Sequence, residues 1–227
     1  MATTTLPPGA NIVTDDRGSG SPPKATRPGH VTASGSHAEK SETGVWVAVA
    51  AISMFFAAFT SSMIVRQGIA PDWLHFQLPH VMYLSTLVLL ASSYTLELAR
   101  RRFAAATLTA NAPSTATPSL VRKGIYWMYV TGVLGLLFVL GQLAAWRDLR
   151  AQGLYLATNP SSSFFYVFTA THGIHLLGGI CGVFYVLARL RKTNGITRQS
   201  GFGAFSIYWH FMDILWVYLL LLLVFRF

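Results

Sequence analysis

The chain has 227 residues, of which 52% are hydrophobic and 11% charged, with a mean hydropathy of +0.46. A soluble domain carries roughly 25% charged residues, so this composition excludes one. The 17 Lys and Arg and 8 Asp and Glu are absent from long stretches, which places those stretches in lipid. One cysteine, Cys181, excludes an intrachain disulfide, a four-Cys zinc site and a Cys-ligated iron–sulfur cluster.

Residues 1–43 hold Pro7, Pro8, Pro22, Pro23 and Pro28 among Gly, Ser and Thr, with no apolar periodicity. Such a segment cannot bury enough surface to offset the entropy of ordering, so a disordered cytoplasmic tail is predicted. It also lacks the apolar core of a signal peptide. Residues 44–227 then read as one transmembrane domain. Five apolar runs, about 45–65, 79–99, 125–146, 164–188 and 204–225, each approach the ~20 residues that cross a bilayer as helix. Backbone groups in lipid must be paired within the segment, and barrel strands would be about half as long. The fold class is therefore an all-α bundle of five transmembrane helices. Pro79 is expected in the first turn of the second helix, and Asn159-Pro160-Ser161 as the start signal of the fourth. Gly201 and Gly203 are expected to mark a turn before the fifth.

Thirteen of the 17 basic residues fall on one side of these spans: in the tail, in the loop after the second helix (Arg100 to Lys123) and in the loop after the fourth (Arg189 to Arg198). Arg66, Arg147, Arg150 and Arg226 fall on the other. The positive-inside rule puts the amino terminus in the cytoplasm and the carboxyl terminus outside. It also accounts for the net charge of +9 without nucleic acid, because a basic cluster directly after a span, such as Arg100-Arg101-Arg102, is a topology and headgroup signal.

Ionisable groups inside spans are costly and mark sites. The fourth run carries His172 and His175, three apart on one helical face; the fifth carries Trp209, His210 and Asp213; the second carries Ser92, Ser93 and Thr95 and closes with Glu97 beside Arg100. Two His on one helix cannot ligate one haem from opposite faces, and a zinc or diiron site lacks carboxylates, with only Asp213 and Glu97 at hand. The expected role of His172, His175, His210 and Asp213 is an interhelical hydrogen-bond cluster joining the fourth and fifth helices. Glu97 is expected to pair with Arg100 at the membrane boundary, Gln142 to seek a buried partner, and Gly178 and Gly182 to form a close-packing face.

The stretches Phe165-Tyr166-Val167-Phe168-Thr169-Ala170-Thr171-His172-Gly173-Ile174-His175-Leu176-Leu177-Gly178-Gly179 and Tyr208-Trp209-His210-Phe211-Met212-Asp213-Ile214-Leu215-Trp216 resemble the two signature helices of subunit III of the haem–copper terminal oxidases. Leu84 to Ser93 is similar to a third, Ser-rich helix of that family, with Ser85 where Asn is frequent, and Gln142 stands where the family commonly has Gln. The resemblance covers about residues 44 to 227 and matches the shorter, five-helix bacterial members; longer members have two further helices at the start. It implies a subunit with no catalytic or redox centre of its own. Its partners would be the catalytic subunit I and subunit II of a proton-pumping cytochrome c or quinol oxidase, which hold the haem and copper. It implies bound phospholipid, support of proton uptake and protection of the catalytic subunit, in the bacterial cytoplasmic membrane.

Two departures from the family stand out. Many members carry a buried Glu in the helix matching the first span, where this chain has Ile52 within Ala50 to Phe56. The leading helices that complete a lipid cleft in longer members are also missing. Other readings are weaker. A subunit-III-like protein of a nitric oxide reductase shares the motifs. A small transporter would show broken helices or internal repeats. A membrane cytochrome would need His at matching depth on facing helices, and His210 near the start of its span does not match His172 and His175 near the middle of theirs.

Overall fold

The computed structural model describes residues 34–69, 73, 78–109, 116–156, 159–192 and 200–226; most of the expected tail, residues 1–33, lies outside them. The described residues form five α-helices and no strand: α1 Ser34–Ile69, α2 Val81–Thr109, α3 Ala116–Ala151, α4 Pro160–Lys192 and α5 Ser200–Arg226. All five are long and apolar enough to cross a membrane. The shortest, α5, has 27 residues and reaches ~40 Å at ~1.5 Å per residue, beyond the ~30 Å hydrocarbon core.

The helices overrun the apolar runs at several ends, for a simple reason: hydropathy marks what lies in lipid, whereas helix formation continues until capping or chain geometry stops it. Thus α1 starts at Ser34, inside the stretch read as tail, and α5 starts at Ser200, so Gly201 and Gly203 lie within a helical turn rather than before it. Pro79 stands just outside α2. Its carbonyl accepts from Met82 N at 3.0 Å, and His80 O accepts the first helical bond, from Leu84 N at 3.3 Å. At α4, Pro160 is the first helical residue and Asn159 O accepts from Ser163 N at 3.1 Å.

Cross-helix pairs give the directions. On α2 and α3, Ser85 meets Gln142 and Thr95 meets Thr131, so numbers rise on one helix as they fall on the other. The same antiparallel sense joins α2 to α5 (Thr86 to Trp216, Ser92 to Trp209). Between α1 and α5 numbers rise together, from Thr60 with Tyr218 to Gln67 with Arg226, so these two run parallel. The α2–α3 pair is the closest, α4 packs on α3 and α5, and α1 lies against α4 and α5 only. Both α4 and α5 pack along three others, α4 on α1, α3 and α5, and α5 on α1, α2 and α4, while α5 also meets α3 at Gly135 and Phe138. Its two indoles, Trp209 and Trp216, are fully buried.

Close approach is set by glycine. A Cβ on Gly135 of α3 would stand 2.9 Å from Trp209 Cη2, and one on Gly182 of α4 would stand 3.2 Å from Phe205 Cε2. The small-residue face of α4 therefore runs through Gly179 and Gly182. Gly178, expected on that face, is exposed and would bring a Cβ no nearer than 3.9 Å to the Tyr208 hydroxyl. At 100° per residue, neighbouring glycines cannot share one contact line.

Gly135→Ala should lower the thermal midpoint of the detergent-solubilised protein by the equivalent of about 1–3 kcal/mol, since Trp209 is buried and cannot swing aside. Gly173→Ala, whose Cβ meets nothing within 4 Å, should be neutral or stabilising by up to about 1 kcal/mol. Equal midpoints for the two variants would contradict this packing.

Candidate functional site

A hydroxyl on a helix in lipid has one hydrogen and two lone pairs. On α2 most of these hydrogens go back to the helix itself: Ser85 Oγ and Thr86 Oγ1 donate to Met82 O at 2.9 and 2.7 Å, and Ser92 Oγ to Leu89 O at 2.6 Å. Their lone pairs are then left to accept from neighbours. Ser85 Oγ accepts from Gln142 Nε2 at 2.9 Å, Thr86 Oγ1 from Trp216 Nε1 at 2.9 Å and Ser92 Oγ from Trp209 Nε1 at 3.2 Å. Thr169 on α4 and Thr60 on α1 repeat the arrangement. Each donates to its own helix and accepts, respectively, from Trp146 Nε1 at 3.1 Å and Tyr218 OH at 3.0 Å.

Ser93 departs from this pattern. Its hydroxyl donates to Asp213 Oδ2, and His210 Nδ1 lies 3.0 Å from Ser93 Oγ itself. Asp213 is 4% exposed, and its second oxygen, Oδ1, has no protein partner. One hydroxyl thus links an imidazole and a carboxylate across the α2–α5 seam. It keeps the carboxylate paired, and its connectivity is one along which a proton can pass from His210 through Ser93 to Asp213. Glu97 stands one turn beyond Ser93 on α2, where it accepts from Arg100 Nε at 2.7 Å and Arg101 Nε at 3.0 Å.

The expected four-residue cluster between α4 and α5 is not what the structure contains. His210 and Asp213 face α2 rather than α4, because α5 is rotated to put its 209–213–216 face on the hydroxyls of α2. His175 Nδ1 donates to Thr171 O of its own helix at 2.8 Å, and the ring lies 6.1 Å from Phe56 of α1. His172 is fully buried with neither ring nitrogen bonded. It sits in an aromatic enclosure, 5.0 Å from the Trp216 ring and 6.0 Å from Phe138, edge-on to the latter. What joins α4 to α5 is instead Tyr208 OH, donating to His175 O at 2.8 Å, with the Gly179 and Gly182 contacts. That bond also corrects the depth argument, since it sets His175 and His210 at adjacent levels. The two imidazoles are separated by direction, one toward α1 and the other toward α2.

Among the described residues no three His, Cys, Asp or Glu side chains converge as a metal site would need. The residues that sequence reasoning missed are Ser93 as partner of His210 and Asp213, Thr86 as acceptor for Trp216, and Thr169 for Trp146. Their signal was present in the spacing: Thr86 and Ser93 lie seven apart on α2, as do Trp209 and Trp216 on α5.

The fold and seam define an all-helical, multi-pass membrane protein in which buried side-chain donors hold helices to one another. Residues 46–226 match the family model of cytochrome c oxidase subunit III, and the chain belongs to that family. It is 31% identical over 183 residues to cytochrome c oxidase subunit 3 of Synechocystis sp., covering 77% of this chain and 70% of that protein. Against quinol oxidase subunit 3 of Bacillus subtilis the identity is 30% over 184 residues, covering 78% and 82%. A probable cytochrome c oxidase subunit 3 of Mycobacterium tuberculosis is 34% identical over 100 residues, 44% of this chain, so the match spans about half (49%) of that relative's length. The helices that carried the resemblance are α2, α4 and α5.

Two substitutions of opposite sign follow from the seam. Ser93→Ala strands the Asp213 carboxylate and should destabilise the protein by about 1–3 kcal/mol in thermal melts. His172→Leu removes a buried polar group that has no partner and should leave the midpoint unchanged or raise it. A marked fall for His172→Leu would show that its ring nitrogens do hold a partner.

Proposed function

We propose that the chain is the non-redox subunit III of a proton-pumping haem–copper respiratory oxidase in a bacterial cytoplasmic membrane. It packs on and stabilises the catalytic subunit I, with subunit II completing the core. The observation that carries this is the family match over residues 46–226, together with the use of the motif residues as helix-to-helix ties. The division of labour is supported by the donor set. His172 is walled in by Trp216 and Phe138, His175 is bonded to its own helix and His210 is tied to Ser93, so the three imidazoles face three different surroundings. Haem and copper are assigned to the partner chains on that basis, and bound phospholipid to this one on the family resemblance alone. The basic bias supports an orientation with Arg100 to Lys123 in the cytoplasm and Arg147, Arg150 and Arg226 outside.

The relatives bear both donor names, cytochrome c and quinol oxidase, so the electron donor is a property of the companions. The test is a pull-down of the tagged chain from native membranes in mild detergent, with an absorbance spectrum and mass identification of what comes with it. Larger subunits bearing haem and copper are expected; a chain that emerges alone and colourless overturns the assignment. In the intact complex, His210→Ala should weaken retention of this subunit while the haem bands keep their positions and intensities. A selective change in the haem spectrum with normal assembly would instead place His210 near a redox centre.

A further inference from the structure

The hydrogens of the α2–α5 seam can be counted. Ser93 has one, and it goes to Asp213 Oδ2, so the 3.0 Å contact with His210 Nδ1 requires the ring nitrogen to be the donor. This fixes the tautomer: in the neutral imidazole Nδ1 carries the proton and Nε2 a lone pair. Among the described residues Nε2 has no hydrogen-bond partner, and the ring is partly exposed. Asp213, which shares Ser93 with it, is buried with Oδ1 also lacking a protein partner. Arg100 and Arg101, the basic residues that follow on α2, are both held by Glu97. The seam is therefore electron-rich, and its partly exposed ring offers an unmatched acceptor.

No described helix covers that acceptor. Helix α2 packs on α3 and α5, and α1 reaches α5 but not α2, so the outer side of the α2–α5 seam is open. The register that sets Ser92 against Trp209 and Thr86 against Trp216 puts Leu90 level with Ile214, one turn from Ser93 and His210. Both are apolar and exposed, by 45% and 68%. The position is also deep. The span Phe202–Arg226 has its midpoint at Ile214, so His210 lies ~6 Å from the centre along the axis and ~9 Å inside the nearer edge of a ~30 Å core. A lone pair left bare at that depth is costly, and ionisable side chains in spans face protein or water rather than acyl chains.

We propose that the seam receives a transmembrane helix of a companion protein, which lies along Leu90 and Ile214 and sets a hydrogen-bond donor (a hydroxyl, amide or indole side chain) against His210 Nε2. This chain joins its own helices by such donors, as in Trp209 on Ser92 and Gln142 on Ser85, and the same chemistry extends to a neighbour. Acyl chains carry no donor, and a headgroup does not reach this depth. A single water finds no second partner on Leu90 or Ile214. A second copy related by a two-fold axis along the membrane normal would bring His210 level with its own image, acceptor facing acceptor. The site requires that the helices span a bilayer; it does not require the oxidase assignment.

The test uses the full chain with its native companions in mild detergent. A photo-crosslinking side chain at Leu90 or at Ile214 should capture one transmembrane segment of a companion, identified by mass spectrometry. The same probe at Leu136 on α3 or Leu177 on α4, exposed to a similar degree as Leu90, should not capture that segment. Ile214→Trp, which crowds the seam and leaves Ser93, His210 and Asp213 in place, should lower the amount of that companion retained by about tenfold, and Leu136→Trp should not. Nitrogen NMR of the histidine-labelled complex should show His210 with a protonated Nδ1 and an Nε2 that accepts a hydrogen bond. Capture of only lipid, detergent or another copy of this chain overturns the docking face, as does retention unaffected by Ile214→Trp. An Nε2 that is itself protonated, or whose lone pair is free, overturns the donor. A captured companion from a complex without haem or copper would count against the oxidase assignment and leave the docking face standing.

Discussion

In a bilayer no water is at hand to receive a buried N–H, and the organisation of this protein follows from where those hydrogens go. Indole N–H groups on α3 and α5, an amide on α3 and a phenol on α5 each end on a hydroxyl of a neighbouring helix. The hydroxyls can accept because their own hydrogens are already placed on carbonyls three or four residues back. Each individual bond in lipid contributes only about 0.6–2 kcal/mol, so no single one holds the fold. Their shared value is register: an indole slipped by one residue would lose its acceptor and leave a polar group in hydrocarbon. Large aromatic donors on α5 and small hydroxyls on α2 are also complementary in volume, which lets the two helices approach around Trp209 and Trp216.

Against that background Ser93 is informative, because it spends its hydrogen on Asp213 instead of on its own helix. A carboxylate inside a membrane needs a donor, and α2 supplies one at the cost of a helix-internal bond. His210 Nδ1 then meets that serine's Oγ. The result is a polar seam between α2 and α5 that ends, one turn further along α2, at Glu97 and its two arginines. The α4 side is different in kind. Its two histidines do not enter the seam, one being enclosed by aromatic rings and the other bonded within its own helix. The two signature stretches of the family therefore serve separate purposes, although they sit on adjacent helices.

The same division separates centre from periphery. Four helices close a ring, α2 to α3 to α4 to α5 and back to α2, while α1 lies against α4 and α5 only. It is tied by the Thr60–Tyr218 bond and by Gln67 near the carboxyl end of α5. Much of its remaining surface, including Trp46, Met54 and Val65, is apolar and open. Ile52 is buried in this contact and, being apolar, needs no partner. The basic residues Arg147 and Arg150 lie at the opposite pole from the Arg100 to Lys123 cluster, beside a groove lined by α3, α4 and Leu156 of their connection.

The sequence alone determined the number of spans, their helical character and the class of protein, because transfer into lipid depends on composition summed over about twenty residues and needs no knowledge of neighbours. The Trp209, His210, Asp213, His172 and His175 motifs were legible for the same reason: polar groups stand out in an apolar run. Their partners were not. Whether Asp213 faces α2 or α4 depends on the rotation of α5 about its own axis, and α5 is apolar around nearly its whole circumference, so its pattern gives no preferred face. That rotation is decided by packing, through the fit of Trp209 against Gly135 and of two indoles onto Ser92 and Thr86. Helix ends were likewise beyond hydropathy, as Ser34 and Ser200 show, since a helix runs on past the lipid wherever its backbone bonds continue to close. Composition places a segment in the membrane; only contact between segments turns it.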